Sequence, residues 1–234
     1  MTDASAPASV IVVAMEEEGA PFLERADHVG DSVAFGNGTR RDLVVGGTRV
    51  ALLRAGIGFA NAVGAAAYAL YTFGADTPVI SAGTAGGLAS GVQVGDVVVG
   101  SRYVNLNADA TAFGYVLGQV PGMPADYGGD ATLISRALAA GPEEETAREG
   151  VIGSSEAFVT AARALELRES FPDVLAVDME SAAIAQFAHS HGQAFLSARA
   201  ISDLCAPDGT EFLTHVDDAA ARSADVVLAT IMAL

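Results

Sequence analysis

The sequence predicts a single α/β domain built on a largely parallel central sheet flanked by helices. Strand-length apolar runs alternate with helical patterns along the chain, as repeated βα units produce. Several runs, SVIVVA at Ser9–Ala14 foremost, are continuously apolar rather than alternating, as strands buried on both faces must be. No linker, repeat or low-complexity tract interrupts the 234 residues. Residues 9–234 are therefore expected to form one domain behind a flexible N-terminus at 1–8.

Taken in order, Ser9–Ala14 is the first strand, and Glu16-Glu17-Glu18 after it suits the positive end of a helix dipole. Val44–Val45 and Arg49–Arg54 read as strands around a Gly46-Gly47 turn. Phe59–Phe73 is alanine-rich with apolar residues at helical spacing and stops at Gly74. Pro78–Ala82 reads as a strand, with Gly83-Thr84-Ala85-Gly86-Gly87 as a small-residue loop behind it. Asp96–Gly100 is a strand, whereas 103–129, rich in Gly, Asn, Asp and Pro, reads as a long functional loop. Ala131–Ala140 is a helix closed by Gly141-Pro142, and Glu149–Ser154 and Val174–Asp178 are strands around a helix at Ala161–Glu169. Glu180–Ser190 is a helix stopped by Gly192, Ala194–Ile201 a strand, and Asp217–Met232 a final amphipathic helix.

Composition removes several functions. The formal charge is −17, and all 12 basic residues are arginine. Without lysine there is no Walker A phosphate loop and no Schiff-base chemistry. The acidic balance argues against nucleic acid and anionic membranes as partners, since clustered cations carry phosphate binding. No run approaches the roughly 18 apolar residues of a membrane helix, and the N-terminus lacks the positive region of a signal peptide. The single cysteine, Cys205, excludes an internal disulfide framework and a multi-cysteine zinc site. His28, His189, His191 and His215 show no metal-ligand spacing, so no metal and no cofactor are expected. A soluble, cytoplasmic protein follows.

Ligands of open α/β sheets bind at the carboxyl ends of strands, and acidic residues follow three of them: Glu16 to Glu18, Asp178-Met179-Glu180, and Asp203. Such carboxylates can converge and divide the work of general base, hydroxyl acceptor and general acid. The alternative for Glu16 to Glu18 is simple complementation of a helix dipole. Arg199 sits inside an apolar strand, where a charge is costly unless paired, so acidic neighbours are expected whether its role is structural or functional. Gly56-Ile57-Gly58 with Asn61 imitates a dinucleotide fingerprint, but Asn61 replaces the third glycine, and a tight strand-to-helix turn lining a pocket is the better reading. The glycine segment 83–87 lets a ligand approach the backbone closely, and with no cation in 76–101 a ribose or water contact is preferred over phosphate. Cys205 reads as a small buried hydrophobe rather than a nucleophile.

In order, VIVVAMEEEGAPFL, LLRAGIGFANA, SAGTAGGLASGVQVGDVVV, DATAFGYVLGQVPG, GSSEAFV, AVDMESAAIA and ARAISD form a recognisable series. The chain resembles the nucleoside phosphorylase/nucleosidase superfamily, and within it the 5′-methylthioadenosine/S-adenosylhomocysteine nucleosidases, from about Val10 to Asp203. The resemblance implies a mixed, partly barrel-like sheet, a homodimer, and hydrolysis of an adenine N-glycosidic bond by water without a metal. Carboxylates suffice for such chemistry, because an oxocarbenium-like state needs leaving-group protonation and a nearby anion. By the resemblance, Asp203 protonates the purine N7, Glu18 activates the attacking water and Arg199 organises the carboxylates. Glu180 accepts from the ribose hydroxyls with Met179 packed on the sugar, and Ile57 lines the ribose side. Phe158 stacks on the base, Val159 reads the adenine edge, and Thr84 keeps a hydroxyl where relatives have serine. Asp178 and Ser202 belong to the same binding set. Phe113 and Pro121 reach into the partner subunit's site. Two departures stand out: Asp178-Met179-Glu180-Ser181 replaces Glu-Met-Glu-Ala, and Cys205–Val216 differs from the family's lid, leaving Phe212, Leu213 or Val216 as its apolar contact. The resemblance leaves 6-amino-6-deoxyfutalosine hydrolysis, phosphorolysis and silent nucleoside binding as alternatives. Phosphorolysis is disfavoured by Val79-Ile80-Ser81-Ala82, which stands where phosphorylases carry an arginine.

Overall fold

The computed structural model describes residues 6–140, 147–205 and 209–234. The elements in order are β1 (Ser9–Val13), α1 (Glu16–Glu24), β2 (His28–Val29), β3 (Val33–Phe35), β4 (Gly38–Val45), β5 (Thr48–Arg54), α2 (Phe59–Phe73), β6 (Val79–Gly87), β7 (Val97–Asn105), β8 (Tyr127–Gly128), α3 (Ala131–Ala140), β9 (Ala147–Ser154), α4 (Ala161–Ser170), β10 (Val174–Asp178), α5 (Ser181–His191), β11 (Phe195–Asp203) and α6 (Thr210–Met232). Of the 1–8 segment, residues 1–5 lie outside the described residues. Pro7, however, is buried, and Ala8 N–H donates to Arg49 O at 2.8 Å, so the end of this segment is pinned to β5.

The sheet is mixed. β5, β1, β6 and β11 run parallel to one another, as do β7, β9 and β10. Antiparallel pairings of β11 with β7 and of β10 with β6 join these groups, so β6, β11, β7, β9 and β10 close into a ring. The expected dominance of parallel strands holds at the centre, while β2, β3 and β4 add an antiparallel extension on the β5 edge. β1 and β11 are buried along their full length, which accounts for the continuous apolar run of β1 and for the need of Arg199 in β11 to be paired.

Two cores cover the faces of the sheet. One joins β1, β5 and β6 to the alanine-rich sides of α2 and α5, and the other joins the same strands to α3 and α6. Alanine lets helices approach closely, and α2 buries Ala62, Ala65, Ala66 and Ala69, the i, i+3, i+4, i+7 stripe of one helix face. The helix stops at Gly74, which has φ +89°, and α5 stops at Gly192 in the left-handed region at φ +64°.

One sequence reading is corrected. Gly83–Gly87 is not a loop but the second half of β6, paired with Arg199–Asp203 of β11. The glycines serve proximity. A Cβ on Gly83 would lie 2.2 Å from Glu18 Oε1, and one on Gly87 would lie 2.8 Å from a Leu204 methyl carbon. The 103–129 segment likewise begins as the end of β7 and contains a 3₁₀ turn at Thr111–Phe113 and the short β8. The Gly141-Pro142 helix stop lies outside the described residues. Among the described residues, no helix is long and apolar enough to cross a membrane.

Candidate active site

The carboxyl ends of β1, β6, β10 and β11 meet at one pocket, and each delivers a polar side chain to it. At the β1 end, Met15 starts α1, and Glu18 folds back so that Oε2 accepts from Ala14 N–H (2.9 Å) and Met15 N–H (3.2 Å). Its other oxygen accepts from Thr84 N–H at 2.8 Å and Thr84 Oγ at 3.1 Å. Glu16 and Glu17 are exposed while Glu18 is buried, so the dipole reading fits the first two and not the third.

Arg199 sits behind the pocket at 1% exposure, and the expected acidic neighbours surround it. NH1 lies 3.6 Å from Glu18 Oε1, and NH2 lies 3.4 Å from Glu180 Oε2. Nε lies 3.1 Å from Asp178 Oδ2 without forming a directed hydrogen bond, so that contact is purely electrostatic. NH2 also donates to Ser81 Oγ at 2.7 Å, and NH1 to Thr84 O at 3.4 Å. Burial by itself would lower the Arg199 pKa, but the fields of Asp178, Glu180 and Glu18 overturn that and raise it. A buried cluster of this kind is costly to break from one side, about 3–5 kcal/mol for losing a partner.

Asp178 and Glu180 divide their work. Asp178 borders the pocket, but its carboxylate accepts from Ser154 Oγ, Ser181 Oγ and Ser181 N–H, and so faces inward. Glu180 instead spans to the opposite wall, where Oε1 accepts from Gly58 N–H at 3.0 Å. Burial pushes its pKa up to about 7 against the lowering field of Arg199. Asp203 Oδ1 accepts from Cys205 N–H and Oδ2 from Ser202 Oγ, both at 2.9 Å. Burial raises the Asp203 pKa, and the two hydrogen bonds pull the other way. Cys205 is buried, and burial pushes its thiol up to about 12, which makes it inert as a nucleophile.

Apolar groups close the pocket. Ile57 from the Gly56–Gly58 turn and Phe158 stand at its mouth, half exposed, with Val159, Met179 and Phe212 along the walls. Gly56 and Gly58, at φ +93° and +95°, make the turn that brings Ile57 there. Phe212 meets Phe158 edge-on at 6.1 Å between centroids, so of the three lid candidates it is the one in the pocket, and Leu213 points outward at 73% exposure. Glu18, Ile57, Thr84, Phe158, Val159, Asp178, Met179, Glu180, Ser202 and Asp203 thus line one cavity, with Arg199 supporting it. Phe113 and Pro121 do not reach the cavity of their own chain, and both are exposed. Ala85 and Gly86 of the lining lie in the 83–87 segment that the sequence singled out, whereas it did not pick out Ala14, Met15, Ala157 or Val177. Among the described residues, the pocket lining contains four carboxylates and no basic side chain. Among the described residues no group of three or more His, Cys, Asp or Glu side chains is placed to hold a metal ion.

Comparison with known proteins bears on this geometry. The family model described as the phosphorylase superfamily matches residues 9–232. A 5′-methylthioadenosine/S-adenosylhomocysteine nucleosidase of Anoxybacillus flavithermus is 39% identical over 225 residues, covering 93% of this chain and 94% of that one. The crystal structure of the nucleosidase of that name from Neisseria meningitidis, in complex with methylthio-immucillin-A, superposes with a TM-score of 0.92 at 38% identity, covering 97% of this chain and 99% of that one. The native structure of a futalosine hydrolase from Helicobacter pylori superposes with a TM-score of 0.89 at 25% identity, covering 96% and 97% of the two chains.

Proposed function

From its membership of the phosphorylase superfamily, to which this chain belongs, we propose that it hydrolyses the N-glycosidic bond of 5′-methylthioadenosine and S-adenosylhomocysteine and releases adenine. The observation that carries the reading is a pocket combining buried carboxylates with no cation in its lining. Phosphate would need a cationic partner there, and the nearest guanidinium, Arg199, is already surrounded by Glu18, Asp178 and Glu180. Water as the acceptor fits this electrostatics, so phosphorolysis does not.

In the proposed reaction Asp203, whose pKa burial raises, donates its proton to N7 as the C1′–N9 bond breaks and the electron pair of that bond moves into the purine. The cationic sugar is stabilised by the carboxylates beneath it. Glu18 takes a proton from water as the water oxygen bonds to C1′. Thr84 and the backbone amides of residues 14 and 15 fix that carboxylate, so it is positioned before substrate arrives. Glu180 accepts from the ribose hydroxyls, while Phe158 and Met179 pack on base and sugar. Asp178 acts at one remove: it holds Arg199 and accepts from Glu180 N–H at 3.3 Å. Ser202 likewise serves through Asp203.

The enzyme is further proposed to work as a homodimer. Phe113 (83% exposed) and Val116 (55%) lie on one loop with exposed Pro121, an apolar surface that a second copy would cover while Phe113 and Pro121 close its 5′ side. The proposed setting is methionine salvage in the cytoplasm, which suits a chain whose single cysteine is a buried free thiol.

Incubating the purified protein with methylthioadenosine, S-adenosylhomocysteine and 6-amino-6-deoxyfutalosine, each with and without phosphate, tests the reading. Adenine release from the first two, unchanged by phosphate, is expected. A strict phosphate requirement, or release only from the third, overturns it.

A further inference from the structure

The N-terminus of α2 carries no acidic residue and no side-chain cap of its own. Its first free amides are nevertheless occupied, by carboxylates from distant parts of the chain. Gly58 N–H donates to Glu180 Oε1 inside the pocket, and Phe59 N–H donates to Glu156 Oε1 at 2.9 Å outside it. Glu156 does not line the pocket, and it belongs to the segment 155–159 that carries Phe158 and Val159 across the mouth. On its far side Glu156 is anchored in turn. Its N–H donates to Asn107 Oδ1 at 2.8 Å, and Asn107 Nδ2 donates to Ser155 Oγ at 3.3 Å. A chain of contacts therefore runs from the turn after β7, through Asn107 and Glu156, to the start of α2. Its two ends adjoin Ile57 and Phe158, the residues at the mouth of the pocket, through Gly58 and Ala157.

We propose that Glu156, held by Asn107, is a positioning residue that staples the segment 155–159 to the α2 N-terminus and thereby sets how tightly the pocket grips its ligand. The inference rests on the adenine-nucleoside reading above. Nothing in it involves bond cleavage, because Glu18 and Asp203 are held by other partners, in Thr84, Ser202 and the amides of residues 14, 15 and 205. Loss of the staple should therefore weaken binding and spare the chemical step. A neutral amide at position 156 keeps the accepting oxygen, so Glu156→Gln should retain most of the effect.

The test measures KM and kcat with methylthioadenosine, and adenine affinity by calorimetry, for wild type, Glu156→Ala, Glu156→Gln, Asn107→Ala and the double alanine variant. Glu156→Ala is expected to raise KM and the adenine Kd together by about three- to tenfold, the range of one helix-capping hydrogen bond. Its kcat and thermal midpoint should stay near wild type, Glu156→Gln should approach wild type, and the double variant should be no worse than the worse single one. An unchanged adenine affinity in Glu156→Ala overturns the proposal. So does a fall in kcat at constant KM, a Gln variant as weak as Ala, or losses that multiply in the double variant. If wild type binds adenine but turns nothing over, the hydrolase reading fails alone, and the ratio of adenine affinities still decides the staple. If wild type binds no adenine, both fall.

Discussion

Arg199 and Asp203 lie on the same strand, yet the protein places them in opposite electrostatic settings. Arg199 is kept charged by Asp178, Glu180 and Glu18, whereas Asp203 has no cation beside it among the described residues and burial raises its pKa. If Asp203 is the acid, Asp203→Asn should lower kcat by about 10²–10⁴-fold while adenine still binds, read by single-turnover assays and calorimetry. Glu180 supplies a pH signature. Its pKa rises from the ordinary 4.5 to about 7 on burial, so the folded chain holds a proton there that the unfolded chain releases. Its contribution to stability is thus fully present below about 4.5 and lost as pH rises through about 7. Activity should move the opposite way, because the ionised carboxylate is the proposed ribose acceptor. The profile of kcat/KM should show an acid limb with an apparent pKa near 7, and in Glu180→Gln that limb and the matching slope of the thermal midpoint against pH should both disappear. These groups were legible in the sequence because buried-strand patterning and strand-end carboxylates single them out. Glu156 and Asn107 were not, because exposed polar residues in loops carry no periodic signal.

Among the elements, sequence and structure agree where periodicity is strong. Phe59–Phe73 and Val174–Asp178 have the same bounds in both, since each is closed by a glycine, a loop or a change of period, and α3 starts at Ala131 in both. β2 and β3 escaped notice because two- and three-residue edge strands are too short for any pattern. The second half of β6 escaped for a different reason: its glycines obey tertiary crowding, not local propensity. Gly83 is the extreme case, at φ +137° with Glu18 Oε1 occupying the space of a side chain. Gly83→Ala should therefore displace the Glu18 carboxylate and cost at least about 10²-fold in kcat, measured by adenine release on protein whose circular dichroism remains native. Alanine at Gly36, with nothing within 4 Å, is the control for left-handed strain without crowding.

For the whole molecule, a site shared between subunits has a consequence that single variants cannot imitate. If the partner's Phe113 closes the pocket, then Phe113→Ala and Asp203→Asn proteins, each weak alone, should regain activity on mixing after subunit exchange. A mixed dimer restores one complete site, because the Asp203 of one protomer then meets the Phe113 of the other. Mixing without recovery, at concentrations where sedimentation shows exchange, would remove the loop from the site.

The ring of strands holds one more implication. Between β10 and β6 it is joined by a short ladder, Ala176 with Gly87 and Val177 with Gly86, continued by Leu88 and Ala89 N–H donating to Leu175 O at 2.8 and 3.3 Å. Gly86 and Val177 also line the pocket, so this narrow join lies beside the ligand. A nucleoside in that pocket would meet residues of β6, β10 and β11 at once, as a rivet across one joint of a hoop. By linkage, a ligand that binds only the closed ring would stabilise that closure, and occupancy and the integrity of the sheet would become one equilibrium.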